Sequence, residues 1–414
     1  MRAVGLIVEY NPFHNGHRYH LRQSQRISGA EAVVAVMSGN FLQRGEPAMW
    51  DKWTRTQMAL QGGCDLVIEL PVAYATQAAE WFAYGAVSLL EATGVVDSFC
   101  FGTESGLLEP LELAAEMMAS EPPKFQSLLK ARLETGINYP AAYSSAVQDY
   151  LTEAGFAEAA SFAFDMPNHT LGLHYLIALR RIGGAMKPFT IAREKAQYHQ
   201  HTITDGAIAS ATAIRKLLLE GSSVHDTAAY IPSSTYSVLR ELSQKGVRPV
   251  SWDNYFPALL HLLMTSDSGK MAKLHEITEG LEHRVLNALP VLPDPTYESL
   301  LSLLKTKRYT RTKLQRALLS ILLGHVKEDF TPAMLSEGVQ YIRILGFTEK
   351  GGMLLKQMRK SASLPVLMSA ARPPERYRYL ELDIRASNAY RLGMSPSGTC
   401  NDLFRDYRDK PIML

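Results

Sequence analysis

Cysteine is scarce: three residues in 414, Cys64, Cys100 and Cys400, lie far apart with no CxxC spacing. That usage excludes a disulfide framework, argues against a structural zinc site and suits a reducing cytoplasm. Also lacking is any apolar run near the roughly 18 to 20 residues that a membrane span needs, so no bilayer crossing is expected. Charge of one sign is missing too. Lys and Arg number 43 against 41 Asp and Glu, a formal net charge of +2, so any nucleic-acid binding must come from a local basic patch. No internal repeat or low-complexity tract is present, which excludes solenoids and disordered scaffolds. The N-terminal MRAVGLIVEYNPFHNGH has a short apolar run, but no small-residue cleavage site follows and the run ends in a carboxylate. It reads as a buried strand and not a signal peptide.

What is present is an ordinary globular composition, 46% hydrophobic and 20% charged, in a chain long enough for two compact units. Within the first 105 residues, AVGLIVE (3 to 9), EAVVAVM (31 to 37), DLVIEL (65 to 70) and SFCFG (98 to 102) alternate with amphipathic stretches. This is a βαβ series building a parallel sheet, and runs apolar throughout suit strands covered on both faces. From 106 to 182 the period turns helical; KPFTIAR (187 to 193) returns to strand, and SATAIRKLLLEG (210 to 221) starts a helix. Past about 235 strand signals become sparse and Leu-rich helices dominate, with SLPVLMSA a candidate strand. The expected fold is therefore α/β: a Rossmann-like parallel sheet in a unit spanning 1–230, followed by a mainly helical unit over 231–414.

The segment EYNPFHNGH (9 to 17) carries the strongest chemical signal. A buried strand ends, Pro12 and Asn15-Gly16 turn the chain, and a helix begins between His14 and His17. Parallel sheets place ligands there, at a strand's carboxyl end and a helix's positive end. Gly16 lets the backbone approach a phosphate, and two imidazoles can donate hydrogen bonds to its oxygens, charge-assisted bonds of a type that in a dry site stabilise the negative charge developing in phosphoryl transfer. The plain alternative is an ordinary turn and helix cap. A metal reading of His14, His17 and His20 is weaker, because no Cys or carboxylate completes the set.

This segment resembles the HIGH-type nucleotidyltransferases. The longer strings VGLIVEYNPFHNGH and MSGNFLQRGEPA (37 to 48) resemble one family among them, the tRNA(Met) cytidine acetate ligases. Further blocks of the resemblance are DLVIELP, FGTES, PNHTLGLHY, KPFTIAR, SATAIR, EGLEHR and LLKTKRYTRTKLQR, in order along nearly the whole chain. The resemblance implies an enzyme that uses ATP to activate acetate as acetyl-adenylate and passes the acetyl group to N4 of the wobble cytidine of elongator tRNA(Met). It implies catalysis by His14 and His17. It also implies ATP contacts from Ile7, Val8, Glu9, Tyr10, Asn11, Pro12, Phe13, His14, Asn15, Gly16, His17 and His20, with others at Gly102, Asn168 and Arg193. The plain readings of those last three are a strand-ending turn, a helix cap and a surface charge. SATAIR resembles the second superfamily signature, ISSTxIR, so Ser210, Thr212 and Arg215 are expected at the outer phosphates; the alternative is a helix start capped by Ser210.

The loop SGNFLQRGEPA suggests an active-site rim, where Arg44 could meet pyrophosphate or RNA or simply be solvated. Asp65 and Glu69 could hold Mg2+, a possible companion of ATP, but carboxylates at strand ends are commonly caps. In KTKRYTRTKLQR, the residues Lys305, Lys307, Arg308, Arg311, Lys313 and Arg316 occur with no acid among them. Such density marks an RNA footprint, with Tyr309 able to stack on a base, or else a solvated helix face. RRIGGA (180 to 185) satisfies the loose acetyltransferase pattern RxxGxA, but it ends a helical run where that pattern should open a helix. Two other functions fit parts of the pattern: a small-molecule adenylyltransferase or cytidylyltransferase, and a nucleotide-sensing RNA-binding protein without catalysis.

Overall fold

The computed structural model describes residues 1–193, 209–394 and 403–414; Cys400 lies outside them. Five strands form the parallel part of one sheet: β1 (Ala3–Val8), β2 (Ala32–Ser38), β3 (Leu66–Leu70), β4 (Ser98–Thr103) and β5 (Lys187–Ala192). Their spatial order is β5-β4-β1-β2-β3, with Leu6 beside Ala35 on one side and Cys100 on the other. Leaving β1, the chain first builds outward through β2 and β3, then returns to β1's other edge as β4. The topological switch between β1 and β4 opens a crevice at their carboxyl ends.

Alternate side chains of the central strands feed two cores. Val34, Val36 and Ile68 pack with the helices Ala79–Ala92 and Pro167–Arg181, whereas Val4, Leu6, Val33 and Ala35 pack with α1 (Asn15–Ser28), α2 (Lys52–Gly62) and the helix Ala211–Leu219. Burial on both faces is why these strands lack apolar-polar alternation.

The sheet continues past position 231. β6 (Ile342–Phe347) joins β3 antiparallel, and β7 (Val366–Leu367) and β8 (Ile412–Met413) join β6. β7 lies within SLPVLMSA. β6 escapes a hydrophobicity reading because Arg343 interrupts its run. That guanidinium is 2% exposed and neutralised by Glu69 and Asp406, at 3.1 Å each, and both acids also bind buried Lys52. Helices fill the rest of this region, among them Phe256–Thr265, Tyr297–Leu304 and Arg311–Leu323. Among the described residues no helix is long and apolar enough to cross a membrane.

Candidate active site

A cavity of about 850 Å³ opens at the β1/β4 switch. Ile7, Val8, Glu9, Tyr10, Asn11, His14, Gly16, His17 and His20 line it from β1 and α1; Gly102, Asn168 and Arg193 line it from β4, the helix Pro167–Arg181 and the end of β5; Ser210, Thr212 and Arg215 close another wall. Pro12, Phe13 and Asn15 do not line it. Phe13 is turned into the core, where a Cβ on Gly62 would meet its ring at 2.5 Å, and Asn15 holds the carbonyls of Tyr230 and Ala229 at 3.0 Å each. These residues set the turn that aims the histidines. Tyr10 turns with φ 48, a left-handed conformation that costs a non-glycine residue of order 1–2 kcal/mol.

His14 is the N-cap of α1. Its Nδ1 accepts the Gly16 N–H at 3.1 Å, and its own N–H donates to Nδ1 of His17 at 3.3 Å, so two imidazoles play the parts usually taken by Ser and Glu in a capping box. The rings stack with centroids 3.6 Å apart. With Nδ1 used as an acceptor, each ring carries its hydrogen on Nε2. Both rings line the cavity. Burial, reinforced by Arg193 and Arg215, pushes His14 down to about 3; burial and the His14 and Arg193 charges hold His17 well below its ordinary value. The free protein therefore presents neutral N–H donors, a correction to the charge-assisted form expected from the motif. His20 is likewise pushed to about 4 by burial and Arg193, and its buried Nε2 has no partner among the described residues.

Strand β4 delivers Gly102 beside Arg193, whose side chain a Cβ would meet at 3.3 Å. Two residues on, Glu104 accepts the backbone N–H groups of Asn168 and His169 at 3.0 Å each and the Asn168 amide at 2.7 Å. A carboxylate at that helix N-terminus leaves the side-chain Oδ1 of Asn168 to receive Arg193 at 3.2 Å. Glu104, missed as an individual residue, was visible as the acid of FGTES before PNHT. Ser210 caps its helix through the Ala213 N–H at 3.1 Å. Arg215 donates to the Asn11 carbonyl at 3.1 Å and to the Thr212 hydroxyl at 3.3 Å, tying the second signature to the first.

The loop at 39 to 48 forms the rim, and Leu42, Gln43, Arg44 and Glu46 line the cavity. Residues beyond 231 hold it. Trp252 donates to the Gly45 carbonyl at 3.1 Å and Gln315 to Glu46 at 3.1 Å, while Gly45, at φ 76, has the Arg316 backbone so near that a Cβ would stand 2.5 Å from it. Arg311, Thr312, Gln315 and Glu298 also line the cavity, so the basic segment opens onto the same space as α1.

That segment is less positive than its composition. Arg308 pairs with Glu279 at 2.7 Å, Arg311 with Glu298 at 2.7 Å, Arg316 with Glu276 at 2.8 Å, and Lys313 also binds Glu276. Lys305 and Lys307 are exposed and form no ion pair among the described residues. Tyr309 is 8% exposed and donates to the Glu279 carbonyl at 2.8 Å, so it is no stacking platform. Asp65 and Glu69 serve structure instead of a metal: Asp65 takes the Val33 N–H at 2.9 Å and the Thr348 hydroxyl at 3.0 Å, and Glu69 is spent on Lys52 and Arg343. Among the described residues no three His, Cys, Asp or Glu gather to ligate a metal.

A β5-β4-β1-β2-β3 sheet with paired histidines heading its first helix defines a nucleotide-handling α/β enzyme of the nucleotidyltransferase class. The HIGH Nucleotidyl Transferase family model matches residues 1–402. The chain is 41% identical over 399 residues to the tRNA(Met) cytidine acetate ligase of Acetivibrio thermocellus, covering 94% of each, and 39% identical to that of Lysinibacillus sphaericus over the full length of both. Crystal structures of Thermotoga maritima TmcAL, apo and bound with alpha-thio ATP, superpose with TM-scores of 0.92 and 0.90 at 34% identity, over the whole of each chain. The chain belongs to the tRNA(Met) cytidine acetate ligase family.

Proposed function

We propose that this chain activates acetate with ATP as acetyl-adenylate and transfers the acetyl group to N4 of the wobble cytidine of elongator tRNA(Met). Full-length similarity to ligases of that name supports the reaction. The observation that carries it to this chain is the single cavity bringing both signature segments together with residues of the helical region.

In this reading the triphosphate lies over the start of α1, against Gly16, Ser210, Thr212 and Arg215, with the nucleoside toward Gly102, Asn168 and Arg193. An acetate oxygen attacks the α-phosphorus and pyrophosphate departs. His14, braced by His17, donates Nε2–H to the oxygens that gain charge. Positioning and fixed dipoles supply most of the rate, as is general for phosphoryl chemistry. Mg2+ would accompany the phosphates, its usual mode with only one or two protein carboxylates. The segment after 231 is the tRNA-facing part, where Lys305 and Lys307 offer uncompensated charge and Arg308, Arg311, Lys313 and Arg316 offer charge already shared with acids. The work is done in the cytoplasm.

The test is release of AMP and pyrophosphate from ATP with acetate, set against acetyl-CoA, with and without elongator tRNA(Met), and mass spectrometry of the tRNA. Acetate-dependent AMP formation with one N4-acetylcytidine supports the reading. ATP left untouched, or a nucleotide transferred to a small acceptor, refutes it.

A further inference from the structure

Acetyl transfer requires that the cytidine amine lose a proton, and the site's histidines are not free to take it. His14 and His17 already accept backbone N–H groups at Nδ1 and hold hydrogens on Nε2. Among the cavity's carboxylates, Glu298 is held by both arms of Arg311 at 2.7 Å each, and Glu46, which like Glu9 accepts one hydrogen bond, sits out on the rim loop and takes it from the Gln315 amide of the helical region at 3.1 Å. Glu9 stands apart. It follows β1, lines the cavity and is fixed through Oε1 by the Gln43 N–H at 2.8 Å; its other oxygen accepts no hydrogen bond among the described residues.

Position separates Glu9 from the remaining candidate, His20. The His20 ring lies beside Gly102 and near Arg193, on the side assigned to the nucleoside. Glu9 lies beneath the rim loop, which Trp252 and Gln315 fasten to the helical region from which tRNA would approach. A carboxylate is also the acceptor that pairs with an exocyclic N4 amine of cytosine.

Resting on the function proposed above, we propose that Glu9 accepts a hydrogen bond from the cytidine N4 amine and receives its proton as the amine attacks. The N4 lone pair forms the bond to the acetyl carbon. The bond from that carbon to the AMP oxygen breaks, its electron pair leaving on AMP, and one N4 proton passes to the free oxygen of Glu9 and then to solvent. Burial raises the Glu9 carboxyl above its ordinary value, Glu46 adds to the rise, and Arg215 and Arg55 oppose it. A base so placed is stronger than an exposed carboxylate.

Two rates distinguish this role from nucleotide binding: acetate-dependent exchange of pyrophosphate into ATP, and single-turnover transfer from preformed acetyl-adenylate to elongator tRNA(Met). In Glu9→Gln the ratio of transfer to exchange falls by at least about a hundredfold, the usual scale for a lost general base, and Glu9→Asp recovers part of it. An unchanged ratio overturns the assignment, including the case where both rates fall together. If wild type shows neither exchange nor transfer, the proposed function itself has failed. Should Glu9→Gln not fold, wild-type transfer between pH 5 and 8 decides: a rate rising with pH to a plateau supports the base, and a flat profile overturns it.

Discussion

Replacing His14 separates the two jobs that geometry gives its ring. Nδ1 caps α1 through the Gly16 N–H, and the Nε2–H edge is left for the reaction. Loss of an N-cap costs about 0.5–2 kcal/mol. Loss of one preorganised donor to a developing negative charge costs about 2.7–4 kcal/mol, or 10²- to 10³-fold in rate. His14→Ala removes both. His14→Asn keeps a good capping acceptor and lacks the donor at Nε2. At roughly 2.1 cal/mol/K of unfolding entropy per residue, a chain of 414 residues shifts by only about 1 °C per kcal/mol, so stability and rate are well separated in size. The assay is acetate-dependent exchange of pyrophosphate into ATP, with melting followed by circular dichroism. His14→Asn should melt within about 2 °C of wild type and exchange 10²- to 10³-fold more slowly. Exchange within about threefold of wild type would show that the ring is a cap only, and the catalytic reading would have to be withdrawn.

Burial pushes His14 and His325 down to about 3, and His20, His174 and His275 to about 4. Unfolded imidazoles bind protons below about pH 6.5 while these folded ones do not, so stability is complete above that pH and is lost as pH falls. Asp383, raised to about 7, and Glu9, also raised, act oppositely in that window; with His17 also held well below its ordinary value, six imidazoles outnumber two carboxyls, so stability falls as pH falls, and a melting temperature flat from pH 6.5 to 5 would contradict it. Arg55→Lys should destabilise by at least about 2 kcal/mol, because the fully buried guanidinium holds the Trp50, Glu9, Ser38 and Gly39 carbonyls together; denaturant titration and the KM for ATP measure the damage to fold and site. Substituting Lys305 and Lys307 together by Ala should lower the slope of log tRNA affinity against log salt by about 1.5, whereas Arg316→Ala, already paired with Glu276, should change it less, and equal changes would show that the ion pairs open on binding.

The parallel strands were legible because β1 and β2 are uninterrupted apolar runs bounded by polar turns, as burial on both faces requires, and β3 carries its one charge, Glu69, next to its last residue. β6 was not, since the charge at Arg343 is balanced by Glu69 and Asp406, one far upstream and one far downstream. The same blindness to partners made the basic segment look like bare positive charge, when Glu276, Glu279 and Glu298 come from outside it. EYNPFHNGH announced a helix start with chemistry on it. Which residues of it face the cavity, and whether its histidines are charged, depended on the packing of Phe13 and on burial, neither written in local spacing.

Those long-range partners bear on how the two halves of the proposed reaction share one site. The rim loop that gives Glu9 its Gln43 N–H is held by Trp252, Gln315 and the Tyr390 hydroxyl, which donates to the Ala48 carbonyl at 2.7 Å. The same loop leads into α2, whose Lys52 is locked with Glu69, Arg343 and Asp406 in a buried group. Buried ion groups of this kind add little net stability, because desolvation offsets their attraction, but losing one member leaves an uncompensated charge that costs about 3–5 kcal/mol. Their effect here is to fix register: the strand end that carries Glu9 can be correct only when residues past 231 are in place. A chain cut near 230 would keep the sequence of both nucleotide signatures but lose the groups that hold the rim. Acetate activation should therefore fail along with tRNA binding, as the shared cavity wall requires.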